Sequence, residues 1–286
     1  MIIDQVGVVG GGLMGTGIAR VCALAGADVV ICEADSDKAA AARARTESSL
    51  RRAVAGGKIT DTDCTGALSR LRFTGTLEEL EDRELVIEAI VEDETVKREL
   101  FAALDKVVTS PTAILASNTS SISITKLAAA TTRPERVVGL HFFNPVPALR
   151  LVELIPTLHT EAATIDRVER FATDDLEKLV IRSQDRAGFV VNALLTPYLL
   201  SAVRMLEAGF ASAADIDQGM VEGCAHPIGP LSLADFVGLD ILLAASTSMY
   251  EEFRDPQFAP PPLLLRMVES GLLGEKTGRG FFTYAQ

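Results

Sequence analysis

Apolar positions in the first half of the chain fall into short β-branched runs: residues 6–9, 29–32, 85–89, 113–116 and 137–140. Between them lie stretches with apolar residues every three or four positions, such as 95–107, which read as amphipathic helix. This alternation predicts a parallel sheet with helices on both faces. One connection is longer than a simple crossover. Residues 35–71 are helical in pattern, rich in Ala and Arg, and broken by Gly56-Gly57 and Thr60-Asp61. They predict a helical hairpin projecting from the sheet, with Thr60 or Asp61 capping its second helix. After about residue 181 the strand pattern stops. Helical stretches follow at 188–206, 212–222, 239–253 and 262–270, with joints at 226–230 and 260–262. The expected fold is α/β: a Rossmann-type doubly wound sheet over residues 1–184, with the hairpin inserted at about 36–71. An all-helical domain follows over 185–286.

Composition narrows the function. The chain has 286 residues, of which 48% are hydrophobic and 23% charged, enough apolar material for two cores. The most apolar stretch, 188–203, contains Asn192 and Pro197 and reads as a buried helix, so no membrane span is expected. Residues 1–12 lack a basic flank and read as a first strand, not a signal peptide. Cys22, Cys32, Cys64 and Cys224 form no CxxC pair and no metal-ligand spacing with the three histidines. Reduced thiols, a cytoplasmic setting and no bound metal are expected. The formal net charge of −12 argues against a nucleic-acid partner. Contacts to an anionic substrate would have to be local.

The segment Gly10-Gly11-Gly12-Leu13-Met14-Gly15 fits the pattern G-x-G-x-x-G, with a strand before it and an amphipathic helix, 13–25, after it. Gly10 permits the tight turn, Gly12 lets the backbone approach a pyrophosphate, and Gly15 lets helix and strand pack closely. The helix N-terminus offers N–H groups and partial positive charge to phosphates. Glu33 closes the second strand, where a carboxylate can accept both adenosine ribose hydroxyls and repel a 2′-phosphate. NAD is therefore the expected cofactor, held by Gly10, Gly12, Leu13, Met14, Gly15 and Glu33. Arg43 and Arg45 are expected to face away on the following helix.

His141 follows the run 137–140, and Glu153 lies in the next apolar segment, 151–155. Pro145 and Pro147 hold Asn144 and Val146 extended, making a short rigid loop that returns the second strand beside the first. Glu153 would then meet His141, fix its tautomer and make it a general acid/base. His226, ahead of Pro227, is given a structural role. The run 116–121 also follows a strand, so Ser117 is placed to hydrogen-bond a reacting oxygen. Ser120 or Ser121 is expected to cap the next helix.

Together these segments resemble the L-3-hydroxyacyl-CoA dehydrogenase family, and within it the short 3-hydroxybutyryl-CoA dehydrogenases. The resemblance covers essentially the whole chain: GGGLMG, LVIEAIVED, LASNTSS, HFFNPVPALRLVEL, DRAGFVVNALL, HPIGPLSLADFVGLD and GEKTGRGFF. It implies reversible hydride transfer between NAD and C3 of a 3-hydroxyacyl thioester. His141 would be the acid/base and Glu153 its orienting partner, with Ser117 and Asn192 holding the C3 oxygen and Asn192 closing the site from the second domain. Glu92, Lys97, Ser117, Asn144 and Lys276 match further cofactor positions. The family binds CoA against the hairpin, which points to Ser49, Arg52 and Lys58 here, with Arg51 beside them. Ala187, Ala193 and Leu149 stand where many members carry Pro, Arg and Met, which bears on chain-length preference. A homodimer is implied as well, and the apolar helices after Gly188 offer more hydrophobic face than a small domain covers alone. Two alternatives stay open. One is a dehydrogenase acting on a carrier-protein thioester or a free hydroxy acid. The other is a non-catalytic NAD-binding structural protein.

Overall fold

The computed structural model describes residues 3–284. Val6, Val8 and Val9 sit in β1 (Gln5–Val9), whose last four residues are buried. The glycine loop leads into α1 (Leu13–Leu24), and β2 (Asp28–Cys32) follows. The hairpin is α2 (Ser36–Ala55) and α3 (Asp61–Ser69). Thr60 caps α3 through a reciprocal capping box with Asp63, satisfying donors at the helix start. Then come β3 (Leu71–Thr74), β4 (Leu85–Glu88), α4 (Glu94–Val107), β5 (Ile114–Ser117), α5 (Ile124–Ala128), β6 (Val137–Phe142), β7 (Leu151–Pro156), α6 (Ala162–Arg170) and β8 (Leu179–Arg182).

These strands form one eight-stranded sheet in the order β3-β2-β1-β4-β5-β6-β7-β8, with β6 and β7 antiparallel and the other neighbours parallel. The order reverses at β1, which makes the carboxyl edge of β1 and β4 a topological switch point. Residues from both sheet faces are buried, so the central strands read as continuous apolar runs.

The chain divides into two compact units, Met1–Arg186 and Ala187–Gln286. The second contains α7 (Val191–Glu207), α8 (Ala213–Cys224), α9 (Pro230–Val237), α10 (Leu239–Phe253) and α11 (Pro262–Glu269). Its core gathers Leu199, Leu200, Val203, Leu231, Leu239 and Leu264. The fully buried Asp235 ties the C-terminal segment down, accepting from the Phe281 and Phe282 N–H groups and the Tyr284 hydroxyl.

Several local expectations need correction. Residues 188–190 do not start a helix, because Gly188 and Phe189 both take positive φ. The joint at 226–230 ends in a helix, α9, because Pro230 occupies its first turn, where no N–H is needed. Val146 is not extended: it lies in a turn in which the Ala148 and Leu149 N–H groups donate to the Pro145 carbonyl. The Asn144–Pro145 peptide is cis. Neither Ser120 nor Ser121 caps α5. Asp185 does, accepting from the Ile124 and Thr125 N–H groups.

Candidate active site

Strand register places the chemistry on one rim. Across the carboxyl edge, Cys32, Val9, Glu88, Ser117 and Gly139 are successive cross-strand neighbours. Strands lie about 4.8 Å apart, so this row spans roughly 19 Å from β2 to β6. Glu33 and Gly10 follow the first two members, and His141 lies two residues beyond the last.

At the nucleotide end, Gly10 has φ +99°, and a Cβ there would lie 2.5 Å from the Ala89 carbonyl oxygen. A Cβ on Gly15 would lie 1.8 Å from the Gly10 carbonyl oxygen. A Cβ on Gly12, by contrast, would meet nothing within 4 Å. Gly12 is also the N-cap of α1 and supplies no side-chain cap, so the helix start presents N–H groups to open space. That is the donor arrangement a pyrophosphate requires, with Leu13 and Met14 as the first helical residues. Glu33 is half-buried, and its Oε1 accepts the Gly11 N–H at 2.7 Å. The Gly11 carbonyl accepts from Arg45 Nε and Nη2 at 3.2 and 2.6 Å. Arg45 therefore does not face away as expected. It shares a face of α2 with the buried Ala42 and Thr46, and that face packs toward the glycine loop. Arg43 is exposed, with its guanidinium 5.2 Å from the Phe73 ring centroid.

At the other end, β6 and β7 pair His141 directly with Glu153. His141 Nδ1 and Glu153 Oε2 are 2.8 Å apart, with Glu153 fully buried and His141 nearly so. The Phe143 ring packs on the imidazole at 4.5 Å. A carboxylate on Nδ1 is the arrangement that fixes an imidazole's tautomer and orientation. The loop after β6 is held from below by the buried Lys178, whose ammonium donates to the Val146 and Leu149 carbonyls. Asn144, in that loop, is exposed.

Between the two ends lies a buried polar network, part of which the sequence reading missed. Glu88 ends β4 fully buried. Its Oε1 accepts from Lys97 Nζ at 2.5 Å and from the Ile90 N–H at 2.7 Å, and its Oε2 accepts from the Ser117 hydroxyl at 2.6 Å. Ser117 is fully buried too, and accepts from the Thr119 N–H. Glu92 accepts from Thr119, Ser120 and Ser121 and lies 3.2 Å from the Lys97 ammonium. Burial pushes the Glu92 carboxyl upward, but the Lys97 charge and the Thr119 and Ser121 hydroxyls outweigh it and hold the group below its ordinary range. The one sequence signal for Glu88 was an acidic residue closing an otherwise apolar run.

A cavity of about 1220 Å³ runs along α1 beside the hairpin and the loop after β6, reaching Leu13 and Asn144. Ser49, Arg52 and Lys58 all line it. So do Arg20, Arg45 and Lys178, which the sequence reading had not assigned to it. Arg20 is buried and donates to Ser49. Burial, then the Arg52 charge, pulls the Arg20 guanidinium below its ordinary value.

Asn192 and Lys276 belong to the helical unit. Asn192 stands half-buried in the first turn of α7, and the Lys276 ammonium pairs with both carboxylate oxygens of Asp240 at 2.5 and 2.6 Å. His226 meets the Tyr198 hydroxyl at 3.1 Å. Among the described residues no cluster of His, Cys, Asp or Glu is arranged to hold a metal.

A switch-point glycine loop, a carboxylate beside it at the end of the second strand and a carboxylate-oriented histidine on the same rim are the arrangement of a nicotinamide-dependent dehydrogenase. Two family models divide the chain between them: the NAD binding domain of 3-hydroxyacyl-CoA dehydrogenase over residues 5–186, and the C-terminal domain of 3-hydroxyacyl-CoA dehydrogenase over residues 188–284. The chain belongs to the 3-hydroxyacyl-CoA dehydrogenase family and is an NAD-dependent enzyme of that class. A 3-hydroxybutyryl-CoA dehydrogenase of Mycobacterium tuberculosis is 59% identical over 282 residues, covering 99% of each chain. One from Bradyrhizobium diazoefficiens is 46% identical, covering 99% of this chain and 96% of that one. Among solved structures, the (S)-3-hydroxybutyryl-CoA dehydrogenase of Ralstonia eutropha matches with TM-score 0.95 and 44% identity, covering 99% of this chain and all of that one.

Proposed function

We propose that the protein interconverts short 3-hydroxyacyl-CoA and 3-oxoacyl-CoA thioesters, with 3-hydroxybutyryl-CoA and acetoacetyl-CoA as the working pair. The relatives' names support the four-carbon chain length. One observation carries the CoA assignment. Arg20, Arg45, Arg52, Lys58 and Lys178 line a single cavity against two carboxylates, Asp175 and Glu177, and among the described residues none of the five forms an ion pair within 4 Å. In a chain of net charge −12, an excess of cations gathered in one cleft suits a polyanion, and the phosphates of CoA supply one. A carrier-protein thioester or a free hydroxy acid brings fewer charges to the same place.

In the oxidising direction His141 Nε2 takes the C3 hydroxyl proton as the C3–H bond breaks, and Glu153 balances the charge that forms on the ring. Bound NAD supplies the hydride acceptor, or the donor in reverse. Gly12, Leu13, Met14 and Glu33 hold its pyrophosphate and ribose, while Glu92, Lys97, Asn144 and Ser117 organise the nicotinamide end. The roles of Asn192 on the C3 oxygen and of Lys276 on the cofactor rest on the family resemblance.

Purified protein with acetoacetyl-CoA and NADH should consume NADH absorbance, free CoA should compete, and NADPH should serve poorly. Absence of turnover with any short 3-oxoacyl-CoA would overturn the proposal. Turnover indifferent to free CoA would transfer it to a carrier-protein thioester. The compartment we propose is the cytoplasm, supported by four cysteines that are all free thiols. Recovery of the protein in a membrane or secreted fraction would count against that.

A further inference from the structure

We infer that Glu88 is a positioning residue of the reaction site, acting by fixing the direction of the Ser117 hydroxyl. The inference rests on the dehydrogenase reading above. Glu88 is fully buried, as are Ser117 and the Lys97 side chain to within 1%. A carboxylate in that position is costly unless its oxygens are paired. Here the pairing is divided between them: Oε1 takes the Lys97 ammonium and the Ile90 N–H, while Oε2 takes the Ser117 hydroxyl at 2.6 Å.

An ionised carboxylate accepts and never donates. Ser117 must therefore give its one proton to Glu88, and the Thr119 N–H occupies one lone pair of its oxygen. The remaining lone pair makes Ser117 an acceptor toward any ligand group that reaches it. It is not a donor. Register sets this oxygen between β4 and β6, one strand from the histidine strand. The same carboxylate holds Lys97, which also approaches Glu92 on the exposed side. One buried anion thus orders a hydroxyl and an ammonium that were assigned separately to the cofactor end of the site.

Glu88→Gln tests this with little change of shape. A glutamine whose Oε1 keeps Lys97 and Ile90 puts its NH2 group against Ser117, which then becomes the acceptor and turns its proton the other way. The expected result is a folded protein with a melting temperature near the parent's. Its kcat/KM for acetoacetyl-CoA and NADH should fall by about tenfold or more, as befits a charge-assisted hydrogen bond lost or inverted. Ser117→Ala should fall comparably, and the double variant should fall no further, because the two act as one unit. A kcat/KM for Glu88→Gln within about twofold of the parent's overturns the inference, as does full additivity in the double variant. Should Glu88→Gln fail to fold, Ser117→Ala decides alone: parental kcat/KM there overturns the inference, since Glu88 is held to act through that hydroxyl. An inactive parent enzyme would instead mark failure of the proposed function.

Discussion

His141 depends on a partner that is twelve residues away in sequence and directly across the ladder in space. Replacing it with alanine removes the proton acceptor without touching the glycine loop or Glu33. Turnover of acetoacetyl-CoA should fall by roughly 10²–10⁴-fold, the span usual for a lost general acid/base, while NADH fluorescence titration should return the parental dissociation constant. A large loss of NADH affinity would instead make His141 a structural residue. This pair was legible in the sequence because two apolar runs joined by a short loop must pair, and pairing fixes which side chains meet. Glu88 was not legible, because its partners Lys97 and Ser117 come from a helix and from a strand 29 positions on. Arg45 was misjudged for a related reason. Helical periodicity shows which residues share a face, but not that the face of α2 bearing Ala42 packs on the glycine loop.

At the level of elements, long buried strands and strongly amphipathic helices announced themselves, and weakly patterned pieces did not. The edge strand β8 has no fully buried residue, and β3 is four residues long with one exposed position, so neither carries a clear apolar signal. The helix that presents Lys97, α4, is anchored at its far end by Asp105. That carboxylate accepts from the Thr132 N–H and hydroxyl and from Arg133 Nε, each at 2.7 Å. Arg133 also donates to the Asp105 and Val108 carbonyls, which covers the end of α4. Burial pushes the Asp105 carboxyl upward, but the bonds from Thr132 and Arg133 prevail and hold it below its ordinary value. A lowered folded-state value means the stabilisation is complete above the unfolded carboxylate range, about pH 4. It is then lost as the pH drops through the lowered value. Asp105→Asn should therefore melt below the parent at neutral pH, and the gap should close in acid. Thermal melts of both proteins across the acid range measure this, and a gap that persists unchanged would refute the assignment.

At the scale of the whole molecule, charge and apolar surface are both unevenly placed. Net charge is −12, yet the cavity beside the hairpin sets five cationic side chains against two carboxylates, Asp175 and Glu177, so the long-range field is negative while the cleft carries a local excess of positive charge. The helical unit leaves large apolar side chains in water: Phe210 is 80% exposed, Leu194 73%, Phe236 55% and Ile241 54%. A single exposed leucine needs no explanation, but several on one small helical unit point to a protein surface meant to be covered. We propose that a second copy covers it, since most soluble oligomers are symmetric assemblies of one chain and the two-fold dimer is the commonest. Among the described residues no single helix is long and apolar enough to cross a membrane. Light scattering at micromolar concentration should then return twice the 30.4 kDa chain mass. Phe236→Glu should shift the population toward monomer, because a charge buried in an apolar interface without a partner costs more than the contact it replaces. A parent protein that scatters as a monomer would leave those side chains without an occupant and would overturn the dimer.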